Sequence, residues 1–202
     1  MSATTNRHSD GYEEYFHYLK NISALGHFYK RYISSPILFR HASSFGQRIV
    51  EVGSGSGAGV LGTFPAHVVG LEINPFAVEY CKSIGLQASL IKEDGIFPLP
   101  DGAFDACVLD NVLEHIEDPR QILDECWRIT QPQGGLIVAV PGIRGFARDP
   151  DHKMLYEENK LRQLDYRWQL EKIFSIPFFV RNERLSKTMR QYCLVAVYRK
   201  SS

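Results

Sequence analysis

The chain has 202 residues and a formal net charge of zero, with 44% hydrophobic and 23% charged residues. This length fits one domain of ordinary size, and the apolar fraction is enough for a proper core. The balanced charge gives no reason to expect nucleic acid as a partner. The longest apolar runs, such as "GLIVAV", are far too short to span a bilayer.

The N-terminal segment is rich in aromatic residues. They are Tyr12, Tyr15, Phe16, Tyr18, Phe28, Tyr29, Tyr32 and Phe39. Their mostly helical spacing, with Gly26 and Pro36 as breakers, predicts one or two helices that lie across the main fold. We therefore expect residues 1–45 to form a helical lid segment on a single domain that covers residues 46–202.

From residue 48 onward, short apolar strands alternate with helices. The predicted strands are "RIVEV", "HVVGLE", "LQASLIKED", the strand within "DGAFDACVLDNVLEHI", "GGLIVAVPG", "RWQLEKIFSIPFFV" and "RQYCLVAVYRK". The predicted helices include "AGVLGTF", "NPFAVEYCKSIG", "DPRQILDECWRIT" and "EENKLRQLD". The last two strands, joined by the loop "RNERLSKTM", pair most simply as a hairpin at one sheet edge. The predicted fold class is α/β: a Rossmann-like, seven-stranded, mostly parallel sheet with a C-terminal antiparallel hairpin, helices on both faces and an N-terminal helical segment.

The cysteines and the N-terminus indicate where the protein works. The four cysteines are scattered and form no CxxC pair, which suits a reducing cytoplasm. The first ten residues, "MSATTNRHSD", are polar and lack the apolar segment of a signal peptide. We expect a cytoplasmic protein without a transmembrane segment.

The stretch 48–57, "RIVEVGSGSG", places closely spaced glycines directly after the first strand. Glycines at this density let the backbone turn sharply and approach a ligand closely. In an open α/β sheet, ligands bind outside the carboxyl ends of the strands. Because no Lys-Ser/Thr pair follows the glycines, the stretch is not a phosphate-binding P-loop.

Two cofactors remain compatible with this loop. Gly53, Gly55 and Ala58 satisfy the loose dinucleotide pattern GxGxxG/A, with Glu72 near the place of a ribose-binding acid. S-adenosylmethionine is the second candidate, and Glu51 at the loop entrance favours it. A carboxylate there helps to organise a positively charged amino-acid end, whereas a dinucleotide loop has no use for an acid beside its phosphates.

Four stretches in the right order separate these candidates: "IVEVGSGSG", "VVGLEIN", "KEDGIFPLPDGAFDACVLDNVLEHIEDP" and "GGLIVAVPG". Through them, residues 47–141 resemble the class I S-adenosylmethionine-dependent methyltransferases, in particular the type 11 small-molecule group. The resemblance implies S-adenosylmethionine as cofactor. It also implies these cofactor-binding residues: Glu51, Gly53, Ser54, Gly55, Gly57, Glu72, Ile73, Asp94, Gly95, Ile96, Asp110 and Asn111.

The resemblance also implies what these residues do. Glu72 accepts hydrogen bonds from both ribose hydroxyls, since two carboxylate oxygens can meet two neighbouring donors. Ile73 covers one face of the adenine, and Asp94 accepts from the adenine amino group beside Gly95 and Ile96. Asp110 and Asn111 border the methionine end of the cofactor.

The stretch after the fourth strand bears on the methyl acceptor. "DNVLEH" stands where enzymes that methylate amino groups of nucleobases and amides carry an Asn/Asp-Pro-Pro-aromatic signature. Its absence disfavours nucleic-acid amines. We expect a small-molecule, lipid-linked or glycan-type acceptor with an oxygen or carbon nucleophile.

An acceptor hydroxyl needs a base to remove its proton. His152 in "RDPDHKMLY", which follows the fifth predicted strand, and His115 in "LEHI" are the candidate catalytic residues. Each histidine also has a structural alternative. Asp151 and His152 could begin the next helix at the surface, and His115 could make a hydrogen bond that only supports the fold. The seven histidines are dispersed without ligand spacing, so we expect no metal site.

Two other functions stay open from the sequence. One is an NAD-dependent oxidoreductase, because the glycine pattern alone permits it. The other is a non-catalytic methyltransferase-like protein that binds the cofactor without chemistry. The oligomeric state and the identity of the acceptor do not follow from the sequence, because specificity lies in variable loops.

Overall fold

The computed structural model describes residues 11–14, 16, 24–179 and 181–201. Its centre is a seven-stranded sheet with the strand order β3-β2-β1-β4-β5-β7-β6. The first five strands pair in parallel, and β7 pairs antiparallel with both β5 and β6. The predicted fold class, with its parallel core and C-terminal antiparallel hairpin, is confirmed.

The elements of the α/β unit follow the predicted order. The strands are β1 Ile49–Val52, β2 Val68–Glu72, β3 Ala88–Leu90, β4 Phe104–Asp110, β5 Thr130–Pro141, β6 Trp168–Ile176 and β7 Cys193–Lys200. The helices are α1 Ala24–Tyr29, α2 Ser35–Ala42, α3 Val60–Thr63, α4 Pro75–Ser83, α5 Arg120–Ile129, α6 Ile143–Phe146, α7 Glu158–Arg162 and α8 Glu183–Thr188. A short 3₁₀ helix covers Leu113–His115.

Residues 24–42 of the N-terminal segment form one continuous helical rod. A π-helical stretch, Lys30–Ser34, joins α1 to α2. Leu38 and Ala42 of α2 are fully buried in the same hydrophobic cluster as Val60. Residues 1–10, 15 and 17–23 of the predicted lid segment lie outside the described residues.

The sheet is buried on both faces, as its apolar strands predict. Val50 and Val52 belong to one hydrophobic cluster and Ile49 to the other, because neighbouring side chains of a strand point to opposite faces. All four residues of β1 are buried, including Glu51. Among the described residues, no helix is long and apolar enough to cross a membrane.

Local signals set the bounds of α4 as predicted. The Asn74 side chain caps the helix by accepting hydrogen bonds from the amides of Phe76 and Ala77. Pro75 occupies the first turn, where its missing N–H costs nothing. Gly85 then ends the segment with a φ of +82°, a left-handed conformation that glycine adopts readily.

Several elements differ from their predicted form. Strand β6 ends at Ile176, before the last residues of the predicted run "RWQLEKIFSIPFFV", and helix α6 was not predicted. The third strand spans only Ala88–Leu90, so the predicted run "LQASLIKED" is too long. The predicted helix "EENKLRQLD" is reduced to Glu158–Arg162. The predicted loop "RNERLSKTM" contains helix α8, because the Asn182 side chain caps it by accepting from the Leu185 amide.

Candidate functional site

Glu51, the last residue but one of β1, is a buried carboxylate that binds the backbone at the start of α3 after the glycine loop. Its side chain accepts hydrogen bonds from the amides of Val60 (3.0 Å) and Leu61 (2.7 Å), and the residue is 2% exposed. A Cβ at position 59 would lie 2.2 Å from Glu51 Oε1. Any side chain at position 59 would therefore collide with the Glu51 carboxylate, which favours glycine there. The sequence analysis missed Gly59, although it continues the alternating glycine pattern.

Burial governs the charge of Glu51. Loss of hydration raises the pKa of the Glu51 carboxyl to about 7, and the neighbouring Asp110 acts in the same direction. The two amide hydrogen bonds and the Lys30 ammonium favour the charged form, but they offset the cost of burial only in part. A cation brought next to Glu51 would therefore find a carboxyl poised to ionise near neutral pH.

The loop after β1 needs its glycines for their backbone conformation. Gly53, Gly55 and Gly57 have φ values of +74°, +53° and +75°, where side chains are strained. A Cβ on Gly53 would also lie 2.6 Å from a methyl group of Val112. Ser54 is buried, and Gly70 of β2 makes room for it, since a Cβ there would lie 2.6 Å from Ser54 Oγ.

Glu72, at the end of β2, binds backbone amides on both sides of the crevice. One carboxylate oxygen accepts from the Gly55 amide at 2.7 Å. The other accepts from Ile73 at 2.8 Å and Asn74 at 3.0 Å. Burial, the largest influence, raises the pKa of Glu72, and these amides lower it. The carboxylate thus joins the glycine loop to the start of α4.

A cavity of about 480 Å³ opens next to Glu72, on the side predicted to hold adenine. Its lining residues are Tyr12, Ile73, Pro75, Leu90, Ile91, Lys92, Glu93 and Gly95. Ile73 is 56% exposed, which leaves an apolar surface for a planar base. Apolar walls beside a carboxylate fit an adenosine group, so the residues present suit S-adenosylmethionine.

Asp94 lies beside this cavity, between the lining residues Glu93 and Gly95. The Asp94 carboxylate accepts a hydrogen bond from the Ile96 amide at 3.0 Å, and its carbonyl accepts from Gln121 Nε2 at 2.5 Å. Gly95 has a φ of +71°, and a Cβ there would lie 2.3 Å from Gln121 Nε2. The structure brings Ile73 and Gly95 to one cavity, while Asp94 and Ile96 follow beside it. Gln121 is a neighbour that the sequence analysis missed.

Asp110, at the end of β4, pairs with a lysine from the N-terminal helical rod. Lys30 Nζ lies 3.2 Å from Asp110 Oδ2, and the Asp110 side chain is 2% exposed. Asn111, in a left-handed conformation with φ +58°, donates from Nδ2 to the other Asp110 oxygen at 2.7 Å. The neighbouring Tyr29 hydroxyl donates to the Gln191 carbonyl at 2.9 Å, which anchors the rod.

The ammonium of Lys30 also interacts with the Glu51 carboxyl beside the glycine loop. Asp110 is the largest influence that raises the pKa of Lys30, and Glu51 acts in the same direction against the cost of burial. The acids Glu51 of β1 and Asp110 of β4 and the ammonium of Lys30 from the rod therefore lie close enough to interact. The sequence analysis missed Lys30, because nothing in "FYKRYI" distinguishes it from a surface lysine.

The two candidate catalytic histidines meet in space. The ring centroids of His115 and His152 are 4.6 Å apart in an edge-to-face arrangement. His152 Nδ1 lies 2.8 Å from the Phe146 carbonyl, which fixes the ring. Burial and the nearby His152 lower the pKa of His115. The His152 side chain is only 8% exposed, so it does not stand at the surface.

Glu114 lies next to this histidine pair. It is fully buried in the 3₁₀ helix that follows β4. Burial raises the pKa of Glu114 to about 8, with Asp110 and Asp149 contributing in the same direction and Lys30 opposing them. Its Oε1 lies 3.9 Å from His152 Nε2.

Comparison with known proteins shows similarity to methyltransferases over part of the chain. Residues 50–138 match the family model described as a methyltransferase domain. A probable S-adenosylmethionine-dependent methyltransferase of Mycolicibacterium smegmatis is 28% identical over 112 residues, which cover 52% of this chain and 42% of that protein. A ubiquinone biosynthesis O-methyltransferase of Xylella fastidiosa (strain M23) is 29% identical over 108 residues, covering 50% and 44%. The chain thus spans less than half the length of these relatives.

Solved structures share the fold over more of the chain. A putative methyltransferase of Haloferax volcanii, in complex with the Trm112 methyltransferase activator, superimposes with a TM-score of 0.72 at 17% identity, covering 96% of this chain and 97% of that one. A methyltransferase dependent on S-adenosylmethionine from Archaeoglobus fulgidus gives 0.63 at 17% identity, covering 83% and 93%. These solved structures share the fold of this chain, and its residues 50–138 are similar to a methyltransferase domain.

Proposed function

We propose that the protein transfers a methyl group from S-adenosylmethionine to an oxygen or carbon atom of a small-molecule, lipid-linked or glycan-type acceptor. One observation carries the proposal: the buried acids Glu51, Glu72 and Asp110 lie at or next to the carboxyl ends of three neighbouring strands. A sulfonium and an ammonium group are cations, which such acids attract. The same acids would repel the pyrophosphate of NAD, which argues against an oxidoreductase.

Each part of the cofactor has a matching group in the chain. The cavity beside Ile73 and Gly95 would take adenine, and Glu72 would bind the ribose hydroxyls in place of its bond to the Gly55 amide. Asp110 and Lys30 form an ion pair that complements a zwitterion, with the acid facing the ammonium and the lysine facing the carboxylate. Glu51 would supply a further negative charge.

When bound, the cofactor supplies a methyl group activated by its positively charged sulfur. The chain's own task is to align the acceptor and to handle its proton. His152 is the proposed catalytic residue, with His115 beside it. If Nδ1 of His152 donates to the Phe146 carbonyl, Nε2 is free to interact with the acceptor.

The class of acceptor rests on two supports. The first is the resemblance of residues 47–141 to the type 11 small-molecule methyltransferases. The second is the name of the similar ubiquinone biosynthesis O-methyltransferase, which specifies methylation at oxygen. We also infer that the protein works in the cytoplasm without nucleic acid as a partner. The free state of Cys81, Cys107, Cys126 and Cys193 supports the reducing compartment.

A transfer assay tests the function. The protein would be incubated with methyl-labelled S-adenosylmethionine and a panel of phenols, polyprenyl phenols and glycolipids, and S-adenosylhomocysteine would be measured as the common product. We expect acceptor-dependent product. Cofactor binding without product from any acceptor would favour the non-catalytic alternative, and NAD-dependent absorbance changes would favour the oxidoreductase.

A further inference from the structure

Three potential metal ligands converge next to the cofactor crevice. Glu114, His115 and His152 each offer one ligand atom, and these atoms all lie within 4.8 Å of one another. Glu114 and His115 are adjacent in the 3₁₀ helix after β4, whereas His152 belongs to the loop after α6. The spacing in the sequence gives no sign of the cluster, because the fold alone brings His152 to the other two.

The Glu114 carboxylate differs from the other buried acids of the described structure. Its side chain is 0% exposed, and neither oxygen has a hydrogen-bond partner among the described residues. The other buried acids have partners: Glu51 and Glu72 accept from amides, Asp105 pairs with Arg48, and Asp110 pairs with Lys30. A buried carboxylate without a partner is costly, and its Oε1 faces His152 Nε2 at 3.9 Å.

We propose that Glu114, His115 and His152 bind one divalent transition-metal cation of the zinc type. Two imidazole nitrogens and one carboxylate oxygen are the ligands that first-row divalent cations share. A cation between them would stabilise the ionised form of the Glu114 carboxyl. Three protein ligands would leave at least one coordination position open, as in catalytic rather than structural zinc sites.

The surroundings of the ligands support this assignment. The Phe146 carbonyl lies 2.8 Å from His152 Nδ1, which leaves Nε2 on the side of Glu114. A metal-binding histidine usually donates its other ring N–H to such a carbonyl. Asp149 Oδ2 lies 4.0 Å from His152 Nε2 and adds negative charge beside the site.

The backbone already holds the two halves of the site together. The amides of Lys153 and Met154 both donate to the Glu114 carbonyl, at 2.7 and 3.0 Å. The loop that carries His152 is thus fixed to the helix that carries the other two ligands. Metal–ligand bonds of about 2.0–2.2 Å require the ligand atoms to approach by roughly 1 Å, which side-chain rotations can supply.

The role of the cation rests on the proposed function, although its binding does not. An acceptor hydroxyl on the open position would lose its proton to a solvent water more readily, and its oxygen would attack the methyl carbon as the carbon–sulfur bond breaks. In the metal-loaded protein the two histidines would then act as ligands, and the cation would activate the acceptor.

Direct metal binding tests the proposal without any activity assay. Full-length protein without a histidine tag would be stripped with a chelator and titrated with Zn²⁺ in a calorimeter. We expect one site per chain, weakened at least about tenfold in His152→Ala and in Glu114→Gln. His67→Ala removes an exposed histidine that lies against Phe39, and it serves as the matched control with unchanged affinity.

Two further readouts make the result decisive. Circular dichroism would establish that each variant is folded, and Glu114→Gln keeps the shape of the buried side chain. Co²⁺ in place of Zn²⁺ should give visible absorption without a sulfur charge-transfer band, which separates this site from the cysteines. Absence of stoichiometric binding by the wild type, or wild-type affinity in both folded variants, would overturn the proposal. Methyl transfer by chelator-treated protein would overturn the role of the cation and leave the proposed function standing.

Discussion

Lys30 on the N-terminal helical rod lies 3.2 Å from Asp110 at the end of β4, so a residue outside the α/β unit completes its crevice. The lysine side chain is 31% exposed and the aspartate side chain 2%. An ammonium has three donors and Asp110 takes one of them. The rod therefore brings a positive charge to the place where the methionine carboxylate of the cofactor is expected.

Replacing this lysine should weaken binding of the amino-acid end of the cofactor. We expect Lys30→Met to lower the affinity for S-adenosylmethionine and S-adenosylhomocysteine by about 10- to 100-fold, the value of one charged hydrogen bond. Methylthioadenosine lacks the amino acid, so its affinity should change little. Calorimetric titration with the three ligands measures the difference; an equal loss for all three would show that the variant had lost the crevice itself.

The burial of Glu51 predicts a pH dependence of stability. Its folded-state pKa of about 7 lies above its ordinary value of 4.5, so the folded state holds the proton more tightly than the unfolded state. This contribution is fully present below about pH 4.5 and is lost as the pH rises through about 7. Glu51→Gln cannot titrate, so it lacks the contribution.

The measurement is a pair of denaturant titrations at several pH values. The free energy of unfolding of the wild type should fall relative to that of Glu51→Gln between pH 4.5 and pH 8, by at most about 3 kcal/mol. Taking the difference between the two proteins cancels the titration of Glu72 and Glu114. A difference that does not vary with pH would mean that Glu51 is not perturbed.

The glycine loop allows a test with an internal control. Gly53→Ala and Gly85→Ala both place a side chain at positive φ, +74° and +82°, at a cost of about 1–2 kcal/mol each. Only at Gly53 does the new Cβ meet another group, Val112, at 2.6 Å; nothing lies within 4 Å at Gly85. We expect Gly53→Ala to lose cofactor affinity at least tenfold and Gly85→Ala to keep it. Equal affinities, compared by thermal shift and calorimetry, would contradict the close approach of this loop to the cofactor.

Replacing His152, whose ring is held by the Phe146 carbonyl, should affect catalysis without affecting cofactor binding. We expect His152→Ala to reduce turnover by about 10²-fold or more, the usual contribution of a group that handles a proton. Its affinity for S-adenosylmethionine should stay at the wild-type value, since no cofactor-binding residue contacts its ring in the described structure. Turnover equal to that of the wild type would remove His152 from the mechanism.

The sequence predicted the parts of the site that depend on strand ends. Glu51, Glu72 and Asp110 lie at or next to the ends of apolar strands, and the carboxyl ends of parallel strands meet at one edge of the sheet. Their roles as cofactor-binding residues came from the family resemblance, and the strand pattern agrees with their meeting at this edge. The positive φ of Gly53, Gly55 and Gly57 followed from their density.

Contacts across long loops could not be predicted in this way. Lys30 reaches Asp110, and His152 reaches Glu114, through the path of the helical rod and the loop after α6. No sequence pattern in the rod or in the loop after α6 predicts the direction in which that segment crosses the fold. The helix α8 was missed for a different reason: its Asn182 cap stands in a charged stretch without an apolar face to reveal a helix.

Calorimetric titration of the purified wild-type chain with S-adenosylmethionine, S-adenosylhomocysteine and NAD tests the central claim most directly, namely that the acids at the ends of β1, β2 and β4 bind a sulfonium cofactor. We predict that the first two ligands bind at one site per chain and that NAD does not bind. Binding of NAD by folded protein that takes up neither S-adenosylmethionine nor S-adenosylhomocysteine would contradict it.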